Sequence, residues 1–143
     1  MSKINLLCPH CGGVNAVPVK DSYVKAACGH CKGSLLDTKP LSVTTESFDR
    51  LMLNDERLII ADFWAPWCGP CRSMAPSFEE AARHFPLKAQ FIKINTEELQ
   101  QLGARFGIRS IPTVIAFKNN RIIDQFSGAL ATPQIIAWVK KHL

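Results

Sequence analysis

The decisive stretch of the chain is Leu58-Ile59-Ile60-Ala61-Asp62-Phe63-Trp64-Ala65-Pro66-Trp67-Cys68-Gly69-Pro70-Cys71, which joins a long apolar run to two closely spaced cysteines. The run over residues 58–64 is nearly continuous in apolar side chains, which is typical of a strand buried on both faces. We expect a helix to follow from Cys68 to about His84, kinked at Pro76 because proline has no amide hydrogen to donate. The sequence therefore places two cysteines where a buried strand turns into a helix.

The position of these cysteines predicts thiol–disulfide chemistry. The first turn of a helix carries unpaired amide groups and a partial positive charge, which favour a thiolate over a thiol. Cys68 at such a position can have a pKa well below that of a free cysteine, whereas Cys71 lies one turn deeper and should be less exposed. Cys68 would attack a substrate disulfide to form a mixed disulfide, and Cys71 would then attack Cys68 and release the reduced product.

Other residues of the stretch are candidates for supporting roles. Pro70 would stiffen the first helical turn, and Gly69 would permit close approach of a substrate backbone. Asp62 should be buried, which raises the pKa of a carboxyl group and suits a proton acceptor for the second thiol; alternatively, it is a structural aspartate hydrogen-bonded to a neighbour. Trp64 and Trp67 flank the cysteines and would either shield them or simply pack.

From residue 42 onward, strands alternate with helices. We expect a short strand beginning at 42–43, strands at 58–64 and 89–95, and two strands at 113–118 and 121–126 joined by a tight turn at Asn119-Asn120. We expect helices capped by Thr44 or Thr45 and ending near Asn54, capped by Asn95 or Thr96 and ending near Gly107, and opened by Thr132-Pro133.

These motifs resemble the thioredoxin family over about residues 42–143. The resemblance is carried by the Trp-Cys-Gly-Pro-Cys core at 67–71, by Ala75-Pro76, and by Gly-Ile-Arg-Ser-Ile-Pro-Thr at 107–113. It implies an α/β fold with a mixed central sheet and helices on both faces. It also implies a protein-disulfide reductase that exchanges two electrons between its dithiol and oxidised protein substrates.

The same resemblance implies further site residues. The Ile111–Pro112 bond is expected to be cis, which would leave the backbone of Ile111 free to pair with a substrate chain beside Cys68. Gly128 matches the small residue kept near the substrate, and Trp67 is a further substrate-binding candidate. Lys93 corresponds to the lysine near the buried aspartate, although it could simply face solvent.

Partners and cofactors follow from the resemblance as well. Thioredoxin reductase, which uses NADPH, would return the chain to its reduced form, so we expect no organic cofactor bound to the chain itself. Oxidised proteins are the expected substrates, and a monomer is the expected state.

Residues 1–37 contain four of the six cysteines and few apolar residues. Segments shorter than about 40 residues usually need a metal, disulfides or a partner to fold. Cys8 and Cys11 are separated from Cys28 and Cys31 by the 16 residues of 12–27, which matches the spacing of four-cysteine zinc sites. We therefore expect one Zn²⁺ on these four cysteines, a linker at 38–41, and a catalytic domain at 42–143.

Two alternatives for the N-terminal cysteines are structural disulfides and additional redox centres. Neither pair follows a buried strand or opens a convincing helix, which argues against redox centres. His10 and His30 lie inside the two-residue knuckles and are expected to face outward. A four-cysteine segment ahead of such a domain is similar to the zinc-carrying thioredoxins of bacteria.

Composition limits the remaining function classes. No apolar run approaches the roughly 18 residues of a membrane span, and the first residues lack the features of a signal peptide, so we expect no membrane association and a cytoplasmic location. The net charge of +5 is scattered, which argues against a nucleic-acid-binding zinc ribbon. A second candidate is a redox-switched zinc protein or holdase that releases metal on oxidation and exposes an apolar surface.

Overall fold

The computed structural model describes residues 2–143 as a small two-stranded module followed by a five-stranded sheet with four helices. The strands are β1 (Lys3–Leu7), β2 (Val14–Pro18), β3 (Leu41–Ser42), β4 (Leu58–Trp64), β5 (Ala89–Asn95), β6 (Thr113–Lys118) and β7 (Arg121–Ser127). The helices are α1 (Thr45–Asn54), α2 (Gly69–Ala82), α3 (Gln100–Arg105) and α4 (Thr132–Lys140).

The large sheet is mixed, as expected, with the strand order β3-β5-β4-β6-β7. Strands β3, β5 and β4 run parallel, whereas β6 pairs antiparallel with both β4 and β7. Strand β4 lies at the centre, and Ile60, Ala61 and Phe63 have no exposed surface. The continuous apolar run therefore forms a strand covered on both faces, and its carboxyl end leads directly to the cysteine pair.

Helices cover both faces of this sheet, which confirms the expected fold class. On one face, α2 and α4 pack against the strands through apolar residues that include Phe78 and Ile135. On the other face, α1 and α3 contribute Phe48 and Leu102 to a second core. The two cores hold β4 rigidly between them and thereby fix the position of the residues at its end.

Two local predictions agree with the structure. Helix α1 begins after Thr44, whose hydroxyl accepts a hydrogen bond from the amide of Ser47 at 3.1 Å. The turn between β6 and β7 places Asn119 and Asn120 at φ values of 52° and 63°. A two-residue hairpin turn requires this left-handed conformation at both positions, and asparagine tolerates it.

The prediction for the start of the third helix was wrong. The side chain of Asn95 accepts hydrogen bonds from the amides of Glu97 at 3.0 Å and Glu98 at 3.4 Å, so it closes a local turn instead of capping a helix. The helix itself begins only at Gln100 and has no side-chain cap. An Asx turn and a helix cap use the same side-chain acceptor, and the sequence does not distinguish them.

Three other boundaries are shifted by one or two residues. Cys68 is the N-cap of α2, which ends at Ala82 instead of near His84. Thr132 is already helical, so Ala131 is the N-cap of α4 and the cap prediction was wrong there. Leu41, which was assigned to the linker, forms β3 together with Ser42.

The N-terminal module consists of the β1–β2 hairpin and two cysteine knuckles. Its small core joins Leu6, Val17 and Leu35 to the buried cysteines Cys8 and Cys28. Leu87, from the loop before β5, completes this core. The core of the N-terminal module is therefore small, and a residue from the part of the chain that forms the five-stranded sheet completes it.

A buried ion pair holds the module against the part of the chain that forms the five-stranded sheet. Arg57 and Asp55 approach to 2.7 Å, and both side chains are almost fully buried. The amide of Leu7 donates to Asp55 at 3.0 Å, and Arg57 donates to the carbonyl of Leu7 at 3.2 Å and to Gln90 at 3.3 Å. The end of β1 is therefore fixed by charged side chains that precede β4.

Replacing Arg57 by alanine should strongly destabilise the protein. The Asp55 carboxylate would remain buried without its partner, which typically costs about 3–5 kcal/mol. Arg105→Ala is the matched control, because the Arg105–Asp49 pair is about half exposed and such pairs contribute about 0–1 kcal/mol. Urea unfolding of both variants measures the two losses, and equal losses would contradict the role assigned to the Asp55–Arg57 pair.

Candidate active site and candidate metal site

The cysteine pair lies at the start of α2, shortly after the end of β4. Cys68 is the N-cap residue in an extended conformation, and Gly69 and Pro70 form the start of the helix. Cys71 follows within the first turn, with its Cα 5.3 Å from that of Cys68, and the two sulfurs form a disulfide. The structure therefore shows the oxidised form of the pair.

The helix start provides a donor for the sulfur of Cys68. The backbone amide of Cys71 donates a hydrogen bond to Cys68 Sγ at 3.2 Å. In the reduced form, this donor and the partial positive charge of the helix start would stabilise a thiolate on Cys68. Cys68 is 5% exposed and Cys71 is 2% exposed, so the expected order of exposure is present but the difference is small.

A second segment faces Cys68 from across the site. Cys68 Sγ lies 3.7 Å from the carbonyl oxygen of Ile111, and the Ile111–Pro112 bond is cis, as expected. The amide of Gly128 donates to the carbonyl of Pro112 at 2.9 Å. A methyl group added at Gly69 or Gly128 would meet no atom of the described residues within 4 Å. The structure thus brings these predicted residues together around an open space beside the sulfur.

Trp67 is an exposed surface residue, with 70% of its area accessible. It borders a groove of about 390 Å³ that continues past Gly103 and Arg109 to Ile111. Trp67 therefore does not pack in the core, which leaves shielding of the cysteines or packing at the surface as its role. Gly103 and Arg109 belong to α3 and to the loop after it, and no local sequence pattern places them at the site.

Asp62 is buried in β4 with an exposed fraction of 1%, and neither carboxylate oxygen has a hydrogen-bond partner within residues 2–143. The interpretation as a hydrogen-bonded structural aspartate is therefore wrong. Burial raises the pKa of Asp62 to about 7, and the positive charge of Lys93 opposes this shift only in part. Lys93 lies beside Asp62 in the β4–β5 register, with its ammonium 4.5 Å from the ring centre of Trp64. A carboxyl group of this kind can accept and release a proton near neutral pH.

The four N-terminal cysteines converge on one point. All four Sγ atoms lie within 4.8 Å of one another, with Cys8–Cys31 at 3.7 Å and Cys11–Cys28 at 3.6 Å. A disulfide needs about 2.05 Å, whereas tetrahedral Zn²⁺ with bonds of about 2.3 Å places its sulfurs about 3.8 Å apart. The geometry therefore fits a four-thiolate zinc site and does not fit disulfides or two separate redox pairs.

Backbone amides point at all four sulfurs. The donors are the amide of His10 to Cys8, of Gly13 to Cys11, of His30 to Cys28, and of Gly33 to Cys31, at 3.3–3.4 Å. The amide of Cys31 and the side chain of Asn15, which are further donors, help to lower the pKa of Cys28 to about 5. Such donors favour the thiolate form that a metal ion requires.

The two histidines are exposed, as expected, but each ring lies over the opposite knuckle. A methyl group at Gly13 would come within 2.7 Å of the His30 ring, and one at Gly33 would come within 3.1 Å of the His10 ring. A side chain at either position would push the facing histidine ring out of its place, most strongly at Gly13. No sequence pattern predicts this crossing, since it depends on how the two knuckles face each other.

The model of the thioredoxin family matches residues 39–141. The chain belongs to the thioredoxin family. Thioredoxin C-3 of Corynebacterium nephridii is 36% identical over 138 residues, which cover 96% of this chain and 94% of the relative. Thioredoxin 1 of Nostoc sp. is 40% identical over 101 residues, covering 71% of this chain and 94% of that relative.

Solved structures agree with this assignment. The crystal structure of thioredoxin from Malassezia sympodialis has a TM-score of 0.66 and 30% identity, and the match covers 74% of this chain and 92% of that one. The match with thioredoxin C-3 is long enough to include the N-terminal module as well. This thioredoxin is therefore a disulfide oxidoreductase with a Cys68–Cys71 pair that can form a disulfide, which confirms the predicted enzyme class.

The stability of the protein should decrease as pH rises, because Asp62 is buried. The pKa of Asp62 is about 7 in the folded protein and 3.8 in the unfolded chain. As pH rises from about 4 to about 7, the unfolded chain releases this proton before the folded protein does, so the free energy of unfolding decreases. The shift corresponds to about 4 kcal/mol, which Asp62→Ala should remove. Urea unfolding of the oxidised proteins between pH 4 and pH 8 should show the variant gaining this amount relative to the wild type.

Asp49, whose side chain is about half exposed and pairs with Arg105, supplies the control for this measurement. Asp49→Ala should not produce a comparable gain with pH, because its carboxylate is not buried. A pH-independent difference between Asp62→Ala and the wild type would show that Asp62 is ionised in the folded protein throughout this range.

Proposed function

We propose that this thioredoxin reduces disulfides in oxidised cytoplasmic proteins and carries one Zn²⁺ on Cys8, Cys11, Cys28 and Cys31. With a zinc-binding N-terminal module ahead of the thioredoxin domain, it would be most like thioredoxin 2 of bacteria. The observation that carries the reductase proposal is the hydrogen bond from the Cys71 amide to Cys68 Sγ at the helix start, with Ile111 facing the same sulfur. Together these features provide an activated nucleophile and a place for a substrate chain.

The proposed reaction transfers two electrons to the substrate. The Cys68 thiolate attacks one substrate sulfur, forming a mixed disulfide and releasing the other substrate sulfur as a thiolate. Cys71 then loses its proton, attacks Cys68 Sγ, and forms the Cys68–Cys71 disulfide while the second substrate thiolate leaves. Asp62 would accept the proton of Cys71, since its carboxyl group titrates near neutral pH.

Substrate binding would use the open space beside Cys68. An extended substrate segment would pair with the backbone of Ile111, next to Pro112 and Gly128, and would contact the exposed ring of Trp67. Gly69 leaves room for this segment because it has no Cβ, and Pro70 keeps the first helical turn rigid.

Zinc would have a structural task in the N-terminal module. Bound Zn²⁺ would supply folding energy by joining the two knuckles, and small zinc modules gain about 10–16 kcal/mol in this way. The module has only a small core of its own, which is consistent with this requirement.

The proposed partners are thioredoxin reductase, which would supply electrons from NADPH, and oxidised protein substrates. No organic cofactor is expected on the chain, and we propose a monomer that binds neither nucleic acid nor membranes. Within residues 2–143, none of the helices combines the length and apolarity that crossing a membrane requires.

Insulin reduction tests the reductase proposal. Cys68→Ser should abolish turnover because it removes the attacking sulfur. Cys8→Ser should retain most of it, because Cys8 is part of the separate metal site. Equal loss of activity in the two variants would contradict this division of roles and favour a function centred on the metal.

A redox-switched zinc protein is a second candidate function, favoured by the exposure of Cys11 and Cys31. An oxidant could reach these two sulfurs directly, while Cys8 and Cys28 are buried. Peroxide treatment with a chromogenic chelator distinguishes the candidates. The reductase proposal expects Cys68–Cys71 to oxidise while zinc stays bound, whereas zinc release at or before this oxidation would support the switch.

A further inference from the structure

Asn15 connects the two cysteine knuckles through its side-chain amide. It lies in β2, opposite Leu6 in the hairpin register, four residues after Cys11. Its nitrogen donates to Cys28 Sγ at 3.4 Å and to the carbonyl of Gly13 at 3.2 Å. Its oxygen accepts a hydrogen bond from the amide of Gly29 at 2.9 Å. One side chain thus contacts a sulfur and the backbone of both knuckles.

This contact breaks the symmetry of the metal site. The position equivalent to Asn15 in the second knuckle, four residues after Cys31, is Leu35, which is buried and apolar. Among the described residues, Cys28 is the one N-terminal cysteine whose sulfur accepts a side-chain N–H as well as backbone amides. Cys28 also accepts the backbone amide of Cys31 at 3.5 Å, which has no counterpart at Cys8 among the described residues, so Asn15 adds a side-chain donor to a sulfur that the backbone already favours.

We propose that Asn15 is a positioning residue of the metal site, which holds the Cys28 sulfur in place and thereby sets the affinity for Zn²⁺. This inference rests on the proposed zinc site. Side chains that hydrogen-bond to metal ligands orient them, and their removal typically lowers metal affinity by about 10–100-fold. The role requires an N–H donor facing sulfur, which asparagine provides and aspartate does not.

Two substitutions separate this role from simple bracing of the knuckles. Asn15→Asp keeps the size of the side chain and the acceptor for the Gly29 amide, but it places a carboxylate oxygen against Cys28 Sγ. Asn15→Ala removes all three hydrogen bonds. If the donor to sulfur matters, aspartate should be the more damaging change. If Asn15 only braces the knuckles, alanine should be at least as damaging.

The experiment is a competition for Zn²⁺ between the full chain and a chromogenic chelator. Both Asn15 variants should bind Zn²⁺ at least about 10-fold more weakly than the wild type, with Asn15→Asp the weaker of the two. Ser22→Asp is the matched control, since it adds the same charge at an exposed position of the same module. Its affinity should equal that of the wild type.

Two further measurements accompany the competition. In the Co²⁺-substituted proteins, the sulfur-to-metal charge-transfer band of Asn15→Asp should shift relative to the wild type, because one thiolate has lost a donor. Insulin reduction should be retained by each variant, which shows that the catalytic domain is folded in the same preparations.

Each outcome bears on a distinct claim. If the wild-type chain binds no Zn²⁺, the proposed zinc site itself fails. If the wild type binds tightly and both Asn15 variants match it, the zinc site stands and the role of Asn15 is overturned. An affinity of Asn15→Asp equal to or above that of Asn15→Ala would likewise overturn the assignment of Asn15 as a donor to Cys28.

Discussion

The amide of Cys71 points at the sulfur of Cys68 across 3.2 Å because a buried strand ends and a helix begins at this place. The first turn of any helix leaves amides without intrahelical acceptors, and the N-cap side chain takes up one of them. In this protein that side chain is a cysteine, whose sulfur is part of the Cys68–Cys71 disulfide. The sulfur that caps the helix is therefore also the sulfur that would attack a substrate disulfide in the proposed reaction, and its position depends on the sheet that holds β4.

The same central strand carries a feature that opposes stability. Asp62 lies inside β4 without a hydrogen-bond partner among the described residues, and an apolar residue there would pack at lower cost. The apolar cores on the two faces of β4 stabilise the fold enough to offset the cost of burying this carboxyl group. Burial of the Asp62 carboxyl group both lowers the stability of the fold and raises the pKa of this group, so one effect does not occur without the other.

Cysteine pairs of the same spacing are arranged differently in the two parts of the chain. At the start of α2, the helix brings Cys68 and Cys71 of one pair together. In the N-terminal module, the sulfurs of one knuckle face those of the other, and the two pairs form one four-sulfur cluster. The module is held by Asp55 and Arg57, which precede β4, whereas Cys68 follows it. A strand of seven residues spans about 20 Å, so the docking contacts and the reacting sulfur lie at opposite ends of β4.

Local sequence patterns predicted most of the strands and helices and the disulfide chemistry of Cys68 and Cys71. The apolar run at 58–64, the Asn119-Asn120 turn and the two cysteine spacings each depend on local patterns, and the structure agrees with them. The tertiary structure alone decided that Asn95 closes a turn, that Arg57 and Asp55 fix the end of β1, and that Asn15 reaches the sulfur of Cys28. A local pattern constrains the backbone of its own segment, but a hydrogen-bonding side chain has several possible partners. Which partner it contacts is fixed only when distant segments are packed together and water is excluded from between them.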